Sequence, residues 1–289
     1  MEVSFYPGCT AHSTGVEYSL SLHAVAEELG LELLEIEDWN CCGAAAAHSL
    51  SGLLGLALPA RNLARAQERD LPLAVPCAGC YNALKRAQAA LAGGGDMKEK
   101  LEEIVEFEYD EKLVVKLMHQ VIMDQIGLEE VKRHIHRPLS GLKVASYYGC
   151  ALVRSPEVVQ MGDHENPLFL DEIVTLLGAE ARDWSYKTDC CGADIAMTHS
   201  DIAVEIADRI TDMALEAGAD CAMVSCGLCQ INLDMRQSAR GRTRLPVFYF
   251  TELMGVAMDL PGTNKWWAKH VVDPRPLLKT LDLLPGGRR

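Results

Sequence analysis

Short apolar runs alternate with amphipathic stretches along the first third of the chain. The first run alternates, is rich in β-forming residues and ends at Gly8-Cys9, so it predicts a strand. Helical spacing follows and stops at Gly30, a typical helix terminator. The pattern predicts strands over 2–7, 31–36 and 71–75, and helices over 16–29, 44–67 and 81–92. We expect Gly52, Gly55 and Pro59 to bend or break the helix 44–67.

The pattern then changes and afterwards returns. Residues 96–137 are highly charged and contain no cysteine, and helical spacing over 97–104 and 113–126 predicts a helical connector. After the connector the order of elements repeats. The predicted strands are 142–148 and 221–225, the predicted helices are 168–177, 202–217 and 230–238, and one more strand and helix fall within 247–258.

This alternation predicts an α/β fold with two pseudo-symmetric domains, each a small, mostly parallel sheet flanked by helices. We expect a first domain over 1–95, a helical connector over 96–140, a second domain over 141–260 and a C-terminal tail over 261–289. In open parallel sheets ligands lie beyond the carboxyl ends of the strands, so those ends are where chemistry is expected.

Ten of the eleven cysteines form two copies of one five-cysteine pattern. In each copy a Cys-Cys-Gly-Ala block is followed, after 34 intervening residues, by a Cys-x-x-Cys block. One further cysteine lies upstream of each block, by 31 and 39 intervening residues. The two sets are Cys9, Cys41, Cys42, Cys77 and Cys80, and Cys150, Cys190, Cys191, Cys226 and Cys229. Duplication of one half is the simplest explanation.

Charge and composition exclude several classes of protein. The net charge of −14 argues against nucleic acid and against an anionic membrane surface as partners. The N-terminus has no signal-peptide pattern, and no window approaches about 18 consecutive apolar residues, so we expect a cytoplasmic protein without a transmembrane segment. Cysteines in a reducing compartment are more often metal ligands or redox groups than structural disulfides.

Three chemistries compete for these thiols. Disulfides are disfavoured because adjacent cysteines pair with difficulty and a set of five leaves one over. Zinc suits a Cys-x-x-Cys pair, but its closed site needs four ligands, so zinc in one half is the lesser possibility. An iron–sulfur cluster fits best, and five thiolates favour an opened, non-cubane cluster. Backbone N–H groups at Gly43, Ala44, Gly192 and Ala193 are candidate hydrogen-bond donors to cluster sulfurs.

Two copies of Cys…Cys-Cys-Gly…Cys-x-x-Cys resemble the CCG domains of the heterodisulfide reductase B-subunit family, over about residues 3–258. The resemblance implies two non-cubane [4Fe-4S] clusters, one held by each set of five cysteines. It also implies reduction of a disulfide, such as that of coenzyme M and coenzyme B, with one cluster taking each thiolate product. Electrons would arrive from a ferredoxin-like C subunit and a flavin-bearing A subunit.

Two functions follow from the resemblance. In the first, a small disulfide lies between the halves, each sulfur faces an iron, and each cluster delivers one electron. In the alternative, the chain is an electron-transfer CCG subunit of another oxidoreductase complex, without a disulfide substrate of its own. The sequence contains no ferredoxin-like segment, which favours the first function. A zinc-bound scaffold is a third possibility.

Candidate proton donors are His12, three residues after Cys9, and His48 and His199, which follow the two Cys-Cys blocks. For each of them a surface or core role is the alternative. Cys221 lies outside the repeat in a predicted buried strand, where it acts as a small hydrophobic residue. The methionines of 118–123 are expected to pack a helix, and Trp266-Trp267 either contacts a partner or anchors the tail.

Overall fold

The computed structural model describes residues 1–238 and 243–285, which form two four-stranded parallel sheets flanked by helices. The strands of the first sheet are β1 Glu2–Phe5, β2 Glu32–Glu35, β3 Leu73–Val75 and β4 Val115–Leu117, in the order β2-β1-β3-β4. Those of the second are β5 Lys143–Tyr147, β6 Glu180–Ala181, β7 Cys221–Val224 and β8 Val247–Tyr249, in the order β6-β5-β7-β8. The predicted α/β fold class with a duplicated sheet is confirmed.

Helices connect the strands in both halves. The α-helices are α1 Val16–Glu28, α2 Ala47–Leu50, α3 Gly52–Gln67, α4 Ala78–Ala92, α5 Gly95–Val105, α6 Met118–Gln120, α7 Leu128–Arg133, α8 Pro156–Val159, α9 Phe169–Leu176, α10 Ser200–Glu216, α11 Gly227–Met235, α12 Phe250–Ala257, α13 Thr263–Trp266 and α14 Arg275–Thr280. Short 3-10 turns cover Cys9–His12, Cys150–Leu152, Ala193–Ile195 and Trp267–Lys269, and a π-helical turn covers Val121–Gly127.

The central strands of each sheet are buried, as expected for a parallel sheet covered on both faces. All three residues of β3 and all four of β7 are buried. Cys221 in β7 is fully buried, as expected of a small hydrophobic residue. The central strands of both sheets therefore lie inside the hydrophobic core, whereas the residues of the edge strands β2 and β6 are exposed or half-buried.

The prediction of a helix over 113–126 is wrong for its first residues. Residues Val115–Leu117 form β4, which pairs in parallel with β3 through Leu73 opposite Val115. Short alternating runs also fit helical spacing, and pairing with a buried neighbour decides the outcome. Since β4 comes from the segment assigned to the connector, the segment contributes to the first sheet; the domain boundaries themselves stay a prediction.

The helix predicted over 44–67 is divided at Ser51, whose hydroxyl accepts a hydrogen bond from the Leu54 N–H and begins α3. Pro59 does not end the helix but lies buried within α3. The stabilisation from packing α3 against α4 therefore outweighs the backbone hydrogen bond that is lost at Pro59. The two-residue edge strand β6 has no counterpart in the sequence prediction, since so short a run carries little pattern.

The tail packs back on the protein. Trp266 and Trp267 are 4% and 1% exposed, and the Trp266 ring lies so close to Gly255 that a Cβ there would fall 2.5 Å from it. Trp266-Trp267 therefore anchors the tail. Within residues 1–238 and 243–285, no helix has the length and apolarity needed to cross a membrane.

Candidate metal centre

The cysteines sit where the strand order of each sheet changes direction. In the first sheet β1 leads through Gly8 into Cys9, and neighbouring β3 leads through Pro76 into Cys77. Because β2 and β3 lie on opposite sides of β1, a crevice opens beyond the carboxyl ends of β1 and β3. β5 and β7 deliver Cys150 and Cys226 in the same way. The fold therefore explains the positions of the upstream cysteines and of both Cys-x-x-Cys blocks.

The Cys-Cys-Gly blocks approach the crevices as tight turns. Gly43 and Gly192 have φ angles of 73° and 77°, in the left-handed region that favours glycine. Their N–H groups donate to Cys41 Sγ at 3.5 Å and to Cys190 Sγ at 3.4 Å. In both halves a buried tyrosine fixes the preceding residue: Tyr6 Oη donates to the Asn40 carbonyl, and Tyr147 Oη to the Asp189 carbonyl. The two turns are built alike.

The structure brings the ten predicted ligand thiols into close pairs. In the first half Cys9 and Cys41 sulfurs lie 3.7 Å apart, and Cys42 and Cys80 sulfurs 3.3 Å apart. In the second half the sulfurs of Cys191 and Cys229 are 3.5 Å apart. These separations exceed the disulfide length of about 2.05 Å, and every cysteine is free.

A multi-iron cluster fits these donors. Thiolates are the usual ligands of iron–sulfur clusters, and Gly8 and Gly149 leave room at the site: an added Cβ would lie 3.1 Å from Cys80 Sγ and 3.3 Å from Cys229 Sγ. Among the residues that the structure describes, no three His, Cys, Asp or Glu side chains converge on one position suited to a single metal ion. Paired sulfurs spread over several positions match a cluster better than one zinc ion.

Hydrogen bonds from neighbouring thiols lower the pKa of the first cysteine of each Cys-Cys block. Bonds from Cys42 and Cys9 lower the pKa of Cys41 to about 2, while the bond to Cys41 raises the pKa of Cys9. In the second half a bond from Cys150 lowers the pKa of Cys190 to about 6, and the pKa of Cys150 is raised in turn. The first cysteine of each Cys-Cys block is therefore the thiol that ionises most readily of its pair.

The two cysteine groups meet at a seam between the halves. Cys77 Sγ and Cys226 Sγ are 3.7 Å apart, and the Gly227 N–H donates to Cys77. The Ala78 N–H donates to the Ser225 carbonyl at 3.3 Å. A Cβ at Gly227 would lie 2.5 Å from Thr10 Oγ1, so only glycine allows this approach.

Tyr18 of α1 supports the seam from behind. Its hydroxyl donates to the Pro76 carbonyl at 2.7 Å, just before Cys77, and lies 3.4 Å from the Ser225 carbonyl, just before Cys226. Its ring stacks on Tyr249 with centroids 4.1 Å apart. One buried side chain thus touches both loops that carry the central cysteines.

A cavity of about 270 Å³ opens beside the seam. All five cysteines of the second set line this cavity. The second half also contributes Ala151, Arg154, Ala193, Asp194 and Leu228. The first half contributes Gly43, Ala44, His48, Gly55, Gly79, Asn82, Ala83 and Arg86. Asn82 joins the two walls, because its amide donates to the carbonyls of Ala151, at 2.9 Å, and Arg154.

The three candidate histidines have different positions. His48 lines the cavity and acts electrostatically on Asp194 across it; burial raises the pKa of Asp194, and His48 opposes that rise. His12 lies 3.7 Å from Glu35, packs against Trp39 and is absent from the lining. His199 is exposed, precedes α10 and is likewise absent from the lining.

Sequence analysis missed four polar residues of the cavity: Asn82, Arg86, Arg154 and Asp194. None belongs to the repeated motif, and no pattern marks them. Their only signal is proximity, since Asn82 follows Cys80 by two residues on α4 and Asp194 follows Cys191 by three. The Arg154 guanidinium lies close enough to Cys190 to favour the thiolate form of that cysteine, which lowers the pKa of Cys190.

Comparison with known proteins gives a family match over both halves. The cysteine-rich domain family CCG matches residues 3–85 and 144–234. The 8-methylmenaquinol:fumarate reductase membrane anchor subunit of Wolinella succinogenes is 32% identical over 96% of this chain and 99% of that protein. The B subunit of the ferredoxin:CoB-CoM heterodisulfide reductase of Methanosarcina mazei is 28% identical over 89% of each chain. A protein of Archaeoglobus profundus, named as similar to the B subunit of heterodisulfide reductase, is 25% identical over 89% of this chain and 91% of that protein.

The fold also resembles a solved structure. A hypothetical protein from Helicobacter pylori matches 93% of this chain with a TM-score of 0.70 and 11% sequence identity. This chain spans about half of that one, 51% of its length, and the likeness concerns the fold alone.

Proposed function

Because the chain belongs to the cysteine-rich CCG domain family, we propose that it is an iron–sulfur subunit of a heterodisulfide reductase-like complex that reductively cleaves a small disulfide. The observation that carries the proposal is the convergence of ten thiols of a duplicated motif in two groups that touch at Cys77 and Cys226. Relatives named after the B subunit of heterodisulfide reductase, similar over most of their length, support the same class of reaction.

In this proposal each group of five cysteines holds one non-cubane [4Fe-4S] cluster, and zinc in one half is the lesser possibility. Such clusters, when bound, supply single electrons and iron atoms that bind sulfur. The N–H groups of Gly43 and Gly192 stabilise the thiolate form of Cys41 and Cys190. A ferredoxin-like C subunit and a flavin-bearing A subunit are the proposed electron donors, in the cytoplasm.

The cavity residues have their own tasks. Cleaving a disulfide to two thiols takes two electrons and two protons. His48 lines the cavity and is our candidate to hold a proton there, with Asp194 facing it. His12 and His199 lie outside the cavity lining, so we assign them no role at the substrate. Asn82 fixes the cavity wall that carries Arg154.

Metal analysis and a reduction assay together test the proposal. Protein prepared without oxygen should contain about eight iron and eight sulfide per chain, as two four-iron clusters require. With a reduced one-electron carrier it should release thiols from a small disulfide. Zinc without sulfide would overturn the proposal, and about four irons would restrict it to one half.

The alternative function is electron transfer within another oxidoreductase complex, without a disulfide substrate. One observation favours it: the relative at 32% identity over nearly its whole length is named as a subunit of a fumarate reductase. Full iron and sulfide content, reversible reduction and no thiol release from any disulfide tested would establish this alternative over the first proposal.

A further inference from the structure

Four ionisable side chains outside the metal centre are buried together where the two halves and the tail meet. Glu17 belongs to α1 of the first half, Asp234 and Glu252 belong to α11 and α12 of the second half, and His270 belongs to the tail. Glu17 and Asp234 are each 2% exposed, and the side chains of Glu252 and His270 are fully buried. α1 packs against α12 and α13 at this junction. Three carboxyl groups and one imidazole therefore share one interior region.

The hydrogen bonds of this group are incomplete. The Glu252 carboxylate lies 3.0 Å from His270 Nε2, and the Asp234 carboxylate accepts from two backbone N–H groups of the tail. Among the residues that the structure describes, Glu17 Oε2 and His270 Nδ1 are buried without a hydrogen-bond partner. A buried polar atom is normally paired, because leaving it unpaired is costly. The free Glu17 oxygen therefore has room for one more proton.

The charges of the group do not balance either. One imidazolium offsets one carboxylate, so full ionisation would leave two excess negative charges in the interior, which is costly. Burial raises the pKa of Glu17 to about 7; Glu252 and Asp234 act in the same direction, while a backbone hydrogen bond and His270 oppose them. The lysines of α13 and of the turn after it are exposed and lie outside the group, Lys265 and Lys269. Glu17 is therefore the member that exchanges its proton near neutral pH.

Two stacked tyrosines connect this group to the central cysteines. The Tyr249 N–H donates to the Glu252 carboxylate at 2.9 Å, and the Tyr249 ring stacks on Tyr18 with centroids 4.1 Å apart. The Tyr18 hydroxyl lies against the carbonyls that precede Cys77 and Cys226. Burial and, after it, the charges of the buried acids and of Cys226 raise the pKa of Tyr249. Charge at the seam and charge in the acidic group are therefore close enough to influence each other.

We propose that Glu17 is a proton-binding site coupled to reduction of the cysteine sites, an inference that rests on the iron–sulfur sites proposed above. When a reduced one-electron carrier protein supplies an electron to the site at the seam, the interior gains one negative charge. The Glu17 carboxylate then binds one proton from solvent, which forms an O–H bond and restores the charge. When the electron passes on to its acceptor, that O–H bond breaks and the proton returns to solvent.

Two features make this coupling physically reasonable. Unit charges about 10 Å apart in a protein interior shift the pKa of each other by roughly one unit, so one added electron is enough to change the protonation of Glu17. The tail also gives protons a short way in, because Lys269 and Val271 on either side of His270 are exposed. Only the His270 side chain then separates solvent from the buried carboxyl groups.

The midpoint potential of the loaded protein, measured without any disulfide, tests the proposal. A rise of one unit in the pKa of Glu17 on reduction is a tenfold change in equilibrium constant, so the potential should fall by about 59 mV between about pH 5.5 and 9. Glu17→Gln should lose this fall. Glu27→Gln, which removes an exposed carboxylate of the same helix, is the matched control and should behave as wild type. A flat wild-type curve, or a fall that persists in Glu17→Gln, overturns the proposal.

Infrared difference spectra identify the proton directly. The reduced-minus-oxidised spectrum of wild type and of Glu27→Gln should show the C=O stretch of a newly protonated carboxyl group, shifted in heavy water. The band should be absent from Glu17→Gln. Its absence from wild type contradicts the proposal even where the buried variant does not fold.

Failure of this inference can be told apart from failure of the proposed function. If iron and sulfide are present and thiols are released, but Glu17→Gln keeps the wild-type pH dependence, only the proton site is wrong. If the proton is bound on reduction but no disulfide is cleaved, the inference stands and the electron-transfer function replaces the first proposal. If iron and sulfide are absent, both are overturned.

Discussion

The two halves of the molecule carry the same five-cysteine set on the same strand order but enclose it differently. In the first half α2 and α3 pack directly behind the Cys-Cys-Gly turn through Ala47 and Leu58, whereas in the second half a short 3-10 turn follows Gly192 and only Ile206 of α10 packs against it. The comparison shows that strand order fixes where the thiols lie, whereas the segments after each turn decide what reaches them. A duplicated set of thiols therefore does not imply identical surroundings.

The largest effect is expected from removing one central ligand in each half. Cys42→Ser and Cys191→Ser should each lose about half of the iron, and disulfide reduction should fall by more than about a hundredfold in both. Iron analysis and thiol release measure the two effects. Cys221→Ala, which removes the cysteine outside both sets, is the control and should retain full iron. Full turnover in either serine variant would contradict a joint role of the halves.

The Cys-Cys-Gly turns should differ in their tolerance of a side chain. Gly43→Ala places a Cβ 2.6 Å from Ala47 in left-handed backbone, and we expect a cost of about 3 kcal/mol or more. Gly192→Ala meets only the flexible end of Ile206 at 3.0 Å, so about 1 kcal/mol is expected. Thermal unfolding of the two variants measures the difference. Equal melting temperatures would show that the second turn is as tightly packed as the first.

Two buried histidines, His270 and His119, give opposite contributions to the pH dependence of stability. Burial lowers the pKa of His270, but Glu252, Asp234 and Glu17 outweigh burial and raise it to about 9. The stability that this interaction adds is present below about pH 6.5 and is lost as the pH rises through 9. Burial also raises the pKa of Glu17 to about 7, which acts in the same direction.

In the first half burial lowers the pKa of His119, stacked on Phe169, to about 3, with only Asp124 opposing. Its contribution is lost as the pH falls from about 6.5 toward 3. We therefore expect the melting temperature of His119→Leu to rise relative to that of wild type as the pH falls toward 4. The melting temperature of His270→Gln should lie furthest below that of wild type below pH 7. Thermal unfolding between pH 4 and 9.5 measures both differences. Parallel curves for wild type and both variants would exclude these assignments.

The smallest effect is expected at the seam. Tyr18→Phe removes the 2.7 Å hydrogen bond to the Pro76 carbonyl and should cost about 1 kcal/mol. Tyr249→Phe keeps the stacked ring pair and loses only a 3.5 Å contact with Gln230, so its melting temperature should change less. A larger loss for Tyr249→Phe would mean that the Tyr18 hydroxyl does not support the seam.

Sequence reasoning found most of the strands and the two repeated cysteine sets because both leave strong local patterns. Gly8-Cys9 and Pro76-Cys77 mark strand ends by composition alone, and the repeat identifies the ten cysteines. It missed β4 because Val115 and Leu117 alternate over only three residues, and the pairing with β3 that makes them a strand is not local. The cavity was missed for the same reason, since Asn82 and Arg154 come together only when the halves pack.

The Gly227–Cys77 hydrogen bond bears on how the protein is made. All five thiols of the first set have left the ribosome long before residue 227 is synthesised, since Cys77 and Cys226 are 149 residues apart. The nascent first half therefore exposes all five thiols of the proposed cluster site without the last backbone donor to them. The site reaches its final form only after the second half has folded and docked, so maturation of the first site is completed after translation.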